Sequence, residues 1–255
     1  MNLGELLAEL REGILNDRSD RTSGTSDYLW TDDTLVRYIN EAQRRFATKA
    51  LVIRDATTSE VCTITLATGV TEYTLHESVI ALLSARHSTD TTDLIRAGHQ
   101  ALGAYRAPDT YIIDPAAYAT LPPGKPLAFT TDEHVVGDDN DAQGVVTLRV
   151  YPAPSADWNG DTIKLRVIRK PINQLRATAP NEYPEIPADH HLEMLDWAAY
   201  LALRIVDQDA GNPRRAAEFA ASFEEHVRAA RLLVLRKLFA PTKWGFGRGG
   251  YCWEH

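Results

Sequence analysis

The hydrophobic period of this chain changes twice. Up to about residue 53 apolar side chains recur every three or four positions, between 57 and 172 they alternate, and from about 185 to 239 the helical spacing returns. A helix buries a stripe and a strand buries a face, so the period decides which element a segment can form. Helices at both ends share a core only if the strands between them are an excursion. The expected fold class is therefore α+β: a four-helix bundle from residues 1–56 and 173–240, an inserted antiparallel β domain at 57–172, and an extended C-terminal tail at 241–255.

The first helix is expected over residues 2–16, with Leu3, Leu6, Leu7, Leu10, Ile14 and Leu15 on one face. Residues 17–29, DRSDRTSGTSDYL, read as a polar loop. In WTDDTLVRYINEAQRRFATKALV, Thr31 is a suitable N-cap, and Asp32 and Asp33 suit the positive end of the helix dipole. Leu35, Tyr38, Ile39, Ala42 and Phe46 form its apolar stripe, with Arg37, Asn40, Arg44 and Arg45 largely opposite.

Strands are expected at EVCTITL (60–66), SVIALLSARH (78–87), YII (111–113), LAFTT (127–131), VVTLRVY (145–151) and TIKLRVIR (162–169). The last alternates most cleanly: Ile163, Leu165 and Val167 against Lys164 and Arg166. Residues 98–105 suggest a short helical turn, and turn-rich clusters at 122–126, 137–144 and 152–161 separate the strands. The third long helix carries Leu192, Leu195, Trp197, Ala199, Leu201, Leu203 and Ile205 on a wide apolar surface. Gly211 closes it, Asn212 caps the next helix, and Pro213 takes that helix's first position. Pro241 then ends the last helix near Phe239.

No arrangement favours catalysis. His190 and Glu193 in DHHLE share one face of a helix start, but the second Glu-x-x-His motif of a bundle di-metal site is missing, since Glu224, Glu225 and His226 do not repeat the spacing. Counted as a calcium loop from Asp138 in GDDNDAQG (137–144), the chain has Ala142 and Arg149 where ligands are needed, so a hairpin loop is expected there. Walker A and G-x-S-x-G motifs do not occur, and GFGRGG lacks a flanking strand and helix. The two cysteines, Cys62 and Cys252, fit neither a disulfide framework nor zinc, which favours a reducing compartment. The N-terminus does not read as a signal peptide, and no apolar run is long enough to span a bilayer. No cofactor, metal ligand or catalytic residue is therefore expected.

Charge points toward a partner. The net charge is −8, yet from Arg228 to His255 six basic side chains face a single acid, Glu254. The rest of the chain is strongly acidic, which argues against a dedicated duplex-DNA binder. The ending, PTKWGFGRGGYCWEH, carries four aromatics on a strip too short to bury them unaided. Trp and Tyr are favoured anchor residues, and glycines let backbone lie close against a partner.

The chain resembles the head-to-tail adaptor (connector) proteins of tailed bacteriophages, of the tail tubular protein A type. The residues that carry the likeness are LGELLAELREGILND, WTDDTLVRYINEAQRRF, YPEIPADHHLEMLDWAAYLAL and NPRRAAEFAASFEEHVRAAR, in that order. The resemblance implies a virion protein at the portal–tail junction that passes through the host cytoplasm during assembly. It implies a ring, probably of twelve neighbouring adaptor subunits, between the portal protein and a tail nozzle or tail tube protein. Genomic DNA would pass through its channel without sequence-specific binding. On that reading Lys243, Trp244, Phe246, Arg248, Tyr251 and Trp253 bind the portal. The rivals are another neck component such as a stopper, a metal-dependent bundle enzyme built on His190 and Glu193, and a single-strand binder using the basic last helix and the aromatic tail.

Overall fold

The computed structural model describes residues 1–17, 28–96, 122–132, 145–204 and 212–238. The elements expected at 98–105, 111–113 and 137–144, with Ile205, Gly211 and the tail, lie outside them. The chain divides into two compact units: Met1–Val52 with Asn173–His255, and Ile53–Ile172.

In the helical unit, α1 spans Leu3–Ala8 and opens with a reciprocal cap. The Glu5 amide donates to Asn2 Oδ1 at 2.9 Å, and the Asn2 amide donates to Glu5 Oε2 at 3.0 Å. The helix then widens into a π-helix over Glu9–Leu15 and stops at Asn16, whose φ of 55° is left-handed. This departs from the uniform helix expected. The spacing supplies a reason: Leu10 and Leu15 are both buried and five apart, which matches i→i+5 hydrogen bonding. Leu7 and Ile14 are only half-buried.

Helix α2 spans Asp32–Ala50 and ends at Leu51, φ 59°. Thr31 caps it by accepting from the Thr34 amide, as expected. Leu35, Ile39, Ala42 and Phe46 are fully buried. The far side is less solvated than the sequence suggests, because Gln43 is buried, Asn40 bonds across to Leu175, and the Arg45 guanidinium lies 3.8 Å over the Trp197 ring.

Helix α3, Ser59–Cys62, is a single turn in the β unit. Helices α4, His191–Leu203, and α5, Pro213–Leu238, complete the described helices. Asn212 Oδ1 accepts from the Arg215 amide at 3.1 Å, the cap that the sequence predicts. Helix α4 packs against α2 and α5, and the first helix packs against α4. Phe46, Trp197 and Phe223 form the aromatic centre, with the Phe223 ring centroid 5.9 Å from Phe46 and 5.1 Å from Trp197. Each such burial contributes roughly 1.5–3 kcal/mol. One apolar expectation fails: Leu192 is 54% exposed, while its neighbour His191 is 3% exposed.

In the β unit, β1 (Arg54–Asp55), β2 (Thr63–Thr65), β4 (Val79–His87) and β8 (Thr162–Arg169) form one antiparallel sheet. β4 pairs along β8, while β1 and β2 take the two ends of β8's other edge. β8 keeps the predicted limits, with Ile163, Leu165 and Val167 buried and Lys164 and Arg166 exposed. The second sheet has the order β3 (Glu72–Thr74), β7 (Thr147–Tyr151), β6 (Ala128–Asp132), β5 (Ile95–Arg96). Its β5–β6 pair is parallel, an exception to the antiparallel expectation. Leu82, Phe129, Leu148, Val150, Ile163 and Val167 are fully buried in one core cluster.

Val61 and Cys62, read as strand from their alternation, instead close the single turn α3, Ser59–Cys62. The cause lies just upstream. Asp55 Oδ1 accepts from the Thr57 and Thr58 amides at 2.9 and 3.1 Å, which turns the chain before β2 begins. Arg169 Nε reaches the same carboxylate at 2.6 Å. Burial works to raise the Asp55 pKa, but the hydrogen bonds from Thr58, Thr57 and Arg169 outweigh it and hold the carboxyl far below its ordinary range.

Candidate interaction surface

The acid and histidine groups singled out in the sequence do meet, across the seam between α4 and α5. His190 Nδ1 lies 2.6 Å from Glu193 Oε2. From α5, His226 Nδ1 lies 3.8 Å from Glu193 Oε1, and its Nε2 lies 3.6 Å from Asp196 Oδ2. Ser222 donates to Asp196 Oδ2 at 2.6 Å. Burial raises the Asp196 pKa, with Glu193 adding to it, while Ser222 and His226 pull it down. The cluster thus joins two helices through close polar contacts. Among the described residues no group of three or more His, Cys, Asp or Glu side chains is arranged to hold a metal ion. Glu224 turns away from this seam and pairs with Lys49, with Arg45 at 3.8 Å, tying α5 to α2.

His191 is a residue that sequence reasoning missed. Its Nε2 lies 2.9 Å from the Ile186 carbonyl and its Nδ1 lies 3.0 Å from the Met1 amine. A ring that donates from Nε2 and accepts at Nδ1 is neutral. Burial, first of all, lowers its pKa in the same sense. Arg11 is a second such residue: 7% exposed, it donates to Asp17 at 2.8 Å, to the Trp30 carbonyl at 2.7 Å and to Asp32 at 2.6 Å. Both residues sit where long-range partners neutralise the cost of burying polarity, and no local pattern signals that.

These contacts set which surfaces remain free. The start of α5 is held to the end of the first helix, where the Arg215 guanidinium donates to the Ile14 carbonyl. Its middle is held to α4 and α2 at Ser222, Glu224 and His226. Beyond Val227 the helix is largely exposed: Arg228, Arg231, Leu232, Leu233, Arg236 and Lys237 face solvent, and Ala230 is buried. None of those four cations has an ion-pair partner among the described residues. Along the first helix the exposed charged side chains are Glu5, Glu9 and Glu12, because Arg11 is turned inward.

The residues expected to bind the portal, Lys243, Trp244, Phe246, Arg248, Tyr251 and Trp253, all lie outside the described residues. Among the described residues no helix is long and apolar enough to cross a membrane. No curated protein matches the chain. Residues 1–241, which take in both compact units up to the aromatic tail, match the family model described as SU10 adaptor protein, and the chain belongs to that family.

Proposed function

We propose that this protein is a structural component of the phage neck that assembles as a ring joining the portal to the tail and continuing the DNA channel. The observation that carries this reading is the adaptor-family match across residues 1–241. Two features support it. From Arg228 onward six basic side chains face one acid while the rest of the chain is net acidic, which suits a subunit with one docking end. In sequence, the long α5 ends at Leu238, three residues before Pro241, after which the aromatic strip begins.

In this reading the helical segments act as one four-helix bundle that forms the ring wall, through heterologous contacts repeated around the axis. Twelve copies is the number the adaptor resemblance implies. The β unit offers loops to a tail nozzle or tail tube protein. An acidic wall lets DNA slide without sticking, because phosphate binding needs cations to displace counterions. Lys243, Trp244, Phe246, Arg248, Tyr251 and Trp253 grip the portal.

The test mixes the cognate portal with the full chain and with a chain ending at residue 240. The expected result is ring assembly on the portal by the full chain and sharply weakened assembly by the shorter one. Equal assembly by both removes the tail's role and leaves the adaptor reading in place. A folded full chain that never binds the portal overturns the adaptor reading.

A further inference from the structure

The end of α5 is cationic and apolar, with its basic side chains exposed among the described residues. Residues 228–238, RAARLLVLRKL, contain Arg228, Arg231, Arg236 and Lys237 and no acid. Leu232 and Leu233 are 49% and 52% exposed between those charges. An isolated helix surface of this kind, with large apolar side chains flanked by cations, favours a partner that supplies carboxylates and buries the leucines.

The same protein carries a matching surface. Glu5, Glu9 and Glu12 stand exposed along the first helix at spacings of four and three. No exposed cation accompanies them on that helix.

One chain cannot bring its own Arg236 and Lys237 to its own Glu9 and Glu12. The start of α5 is fixed beside Ile14 by the bond from Arg215. At 1.5 Å per residue, Arg236 and Lys237 lie about 32 Å further along α5, whereas Glu9 and Glu12 lie within about 8 Å of Ile14. The remaining gap of roughly 20 Å exceeds the combined reach of the side chains.

We infer that the exposed end of α5 in one copy docks on the Glu5–Glu9–Glu12 face of the first helix in a second copy, forming the contact between neighbouring subunits. The inference rests on the ring reading above and assigns its contact surface. The two surfaces differ, so the contact is heterologous: each copy offers a basic end to one neighbour and an acidic face to the other, which allows a closed ring. Charge pairing sets register and partner choice, and burial of Leu232 and Leu233 adds the apolar contribution.

A charge exchange tests this on the full chain. The first variant carries Arg236→Glu and Lys237→Glu, and the second carries Glu9→Lys and Glu12→Lys. All four positions are exposed, and Tm with circular dichroism checks that each variant folds. Particle mass is read by light scattering, with the protein alone and on its portal. Each variant alone should need more than about tenfold higher concentration to assemble, since like charges then face each other. Combining all four changes in one chain should restore assembly. Either two-site variant assembling as the native chain does, or the combined variant remaining folded and dispersed, overturns the inference.

A second measurement does not depend on charge reversal. In a Cys252→Ser background, Glu12→Cys and Arg236→Cys are placed in separate chains and a short bismaleimide is added to the assembled mixture. Linked pairs support the contact, and their absence in a fully assembled mixture overturns it. Assembly that ignores every charge change removes this surface assignment and leaves the adaptor reading standing. A native chain that associates neither with itself nor with the portal removes both.

Discussion

Asn40 and Leu175 exchange two hydrogen bonds across 135 positions of sequence. Asn40 Nδ2 donates to the Leu175 carbonyl at 2.9 Å, and the Leu175 amide donates to Asn40 Oδ1 at 2.9 Å. The chain leaves the helical unit after Val52 and re-enters it at Asn173, so this amide clip fixes the returning segment to α2 within three residues of re-entry. Gln43 repeats the device one turn later, its Oε1 accepting from the Glu185 amide at 3.1 Å.

Asn40→Ala leaves both backbone groups of Leu175 without their partner. The expected loss is about 1–3 kcal/mol in denaturant unfolding, the cost of unsatisfied groups in a part-buried setting. Asn40→Asp keeps the acceptor for the Leu175 amide but sets a carboxylate oxygen against the Leu175 carbonyl, and should also destabilise the chain. An alanine variant as stable as the native chain removes the clip from the account.

Asp55 dominates the acid response of the β unit. Its carboxyl is held far below the ordinary range by Thr58, Thr57 and Arg169 against the opposing effect of burial. A depressed carboxyl contributes stability that is fully present above its unfolded pKa, about 3.9, and is lost as pH falls below that value. The β unit should therefore weaken below about pH 4. Asp55→Asn removes the carboxylate that Arg169 Nε meets at 2.6 Å, and should cost about 1–3 kcal/mol at neutral pH while flattening that acid limb. Unfolding curves between pH 2.5 and 7 measure both effects, and an unchanged slope for Asp55→Asn contradicts the assignment.

Ser222 holds the raised pKa of Asp196 in check. An acid whose folded pKa lies above its unfolded value loses stability as pH rises between the two. Ser222→Ala removes a hydrogen bond that pulls the Asp196 pKa down, so it should push that pKa higher and widen the window. The expected cost is about 1–2 kcal/mol at pH 7 and less at pH 4, because the bond from Ser222 favours the charged carboxylate. Equal losses at the two pH values contradict this picture.

Cys62 should be inert in the folded protein. Burial first, and then the Asp55 carboxylate, push its thiol up to about 11. In a Cys252→Ser background, iodoacetamide at pH 8 should modify Cys62 at least roughly a hundredfold more slowly in the folded chain than in denaturant. Fast modification without unfolding contradicts the packing of α3 described here.

What was legible follows from how local each signal is. The strand Thr162–Arg169 and the start at Asn212–Pro213 were readable because alternation and capping involve neighbours only. Cys62 was misread because the turn before it depends on Asp55, whose charge is paired by Arg169, 114 positions away. Leu192 was placed on the buried surface, and His191 takes that buried position for a similar reason: it is satisfied inside by Ile186 and by the amine of Met1, 190 positions away. The π-helix at Glu9–Leu15 accompanies Arg11 turned inward to Asp17, Trp30 and Asp32, contacts that no periodicity reveals. Of the candidate site, the basic run of α5 was visible as charge, but its exposure became clear only once the contacts of Glu224 and His226 showed where the packing ends.

Electron cryo-microscopy of the assembled neck tests the central claim most directly. The account predicts copies of this chain in a ring between portal and tail, with Trp244, Phe246, Tyr251 and Trp253 of each copy buried against the portal. Those four side chains packed on their own helices, or a neck in which this chain does not contact the portal, contradicts it.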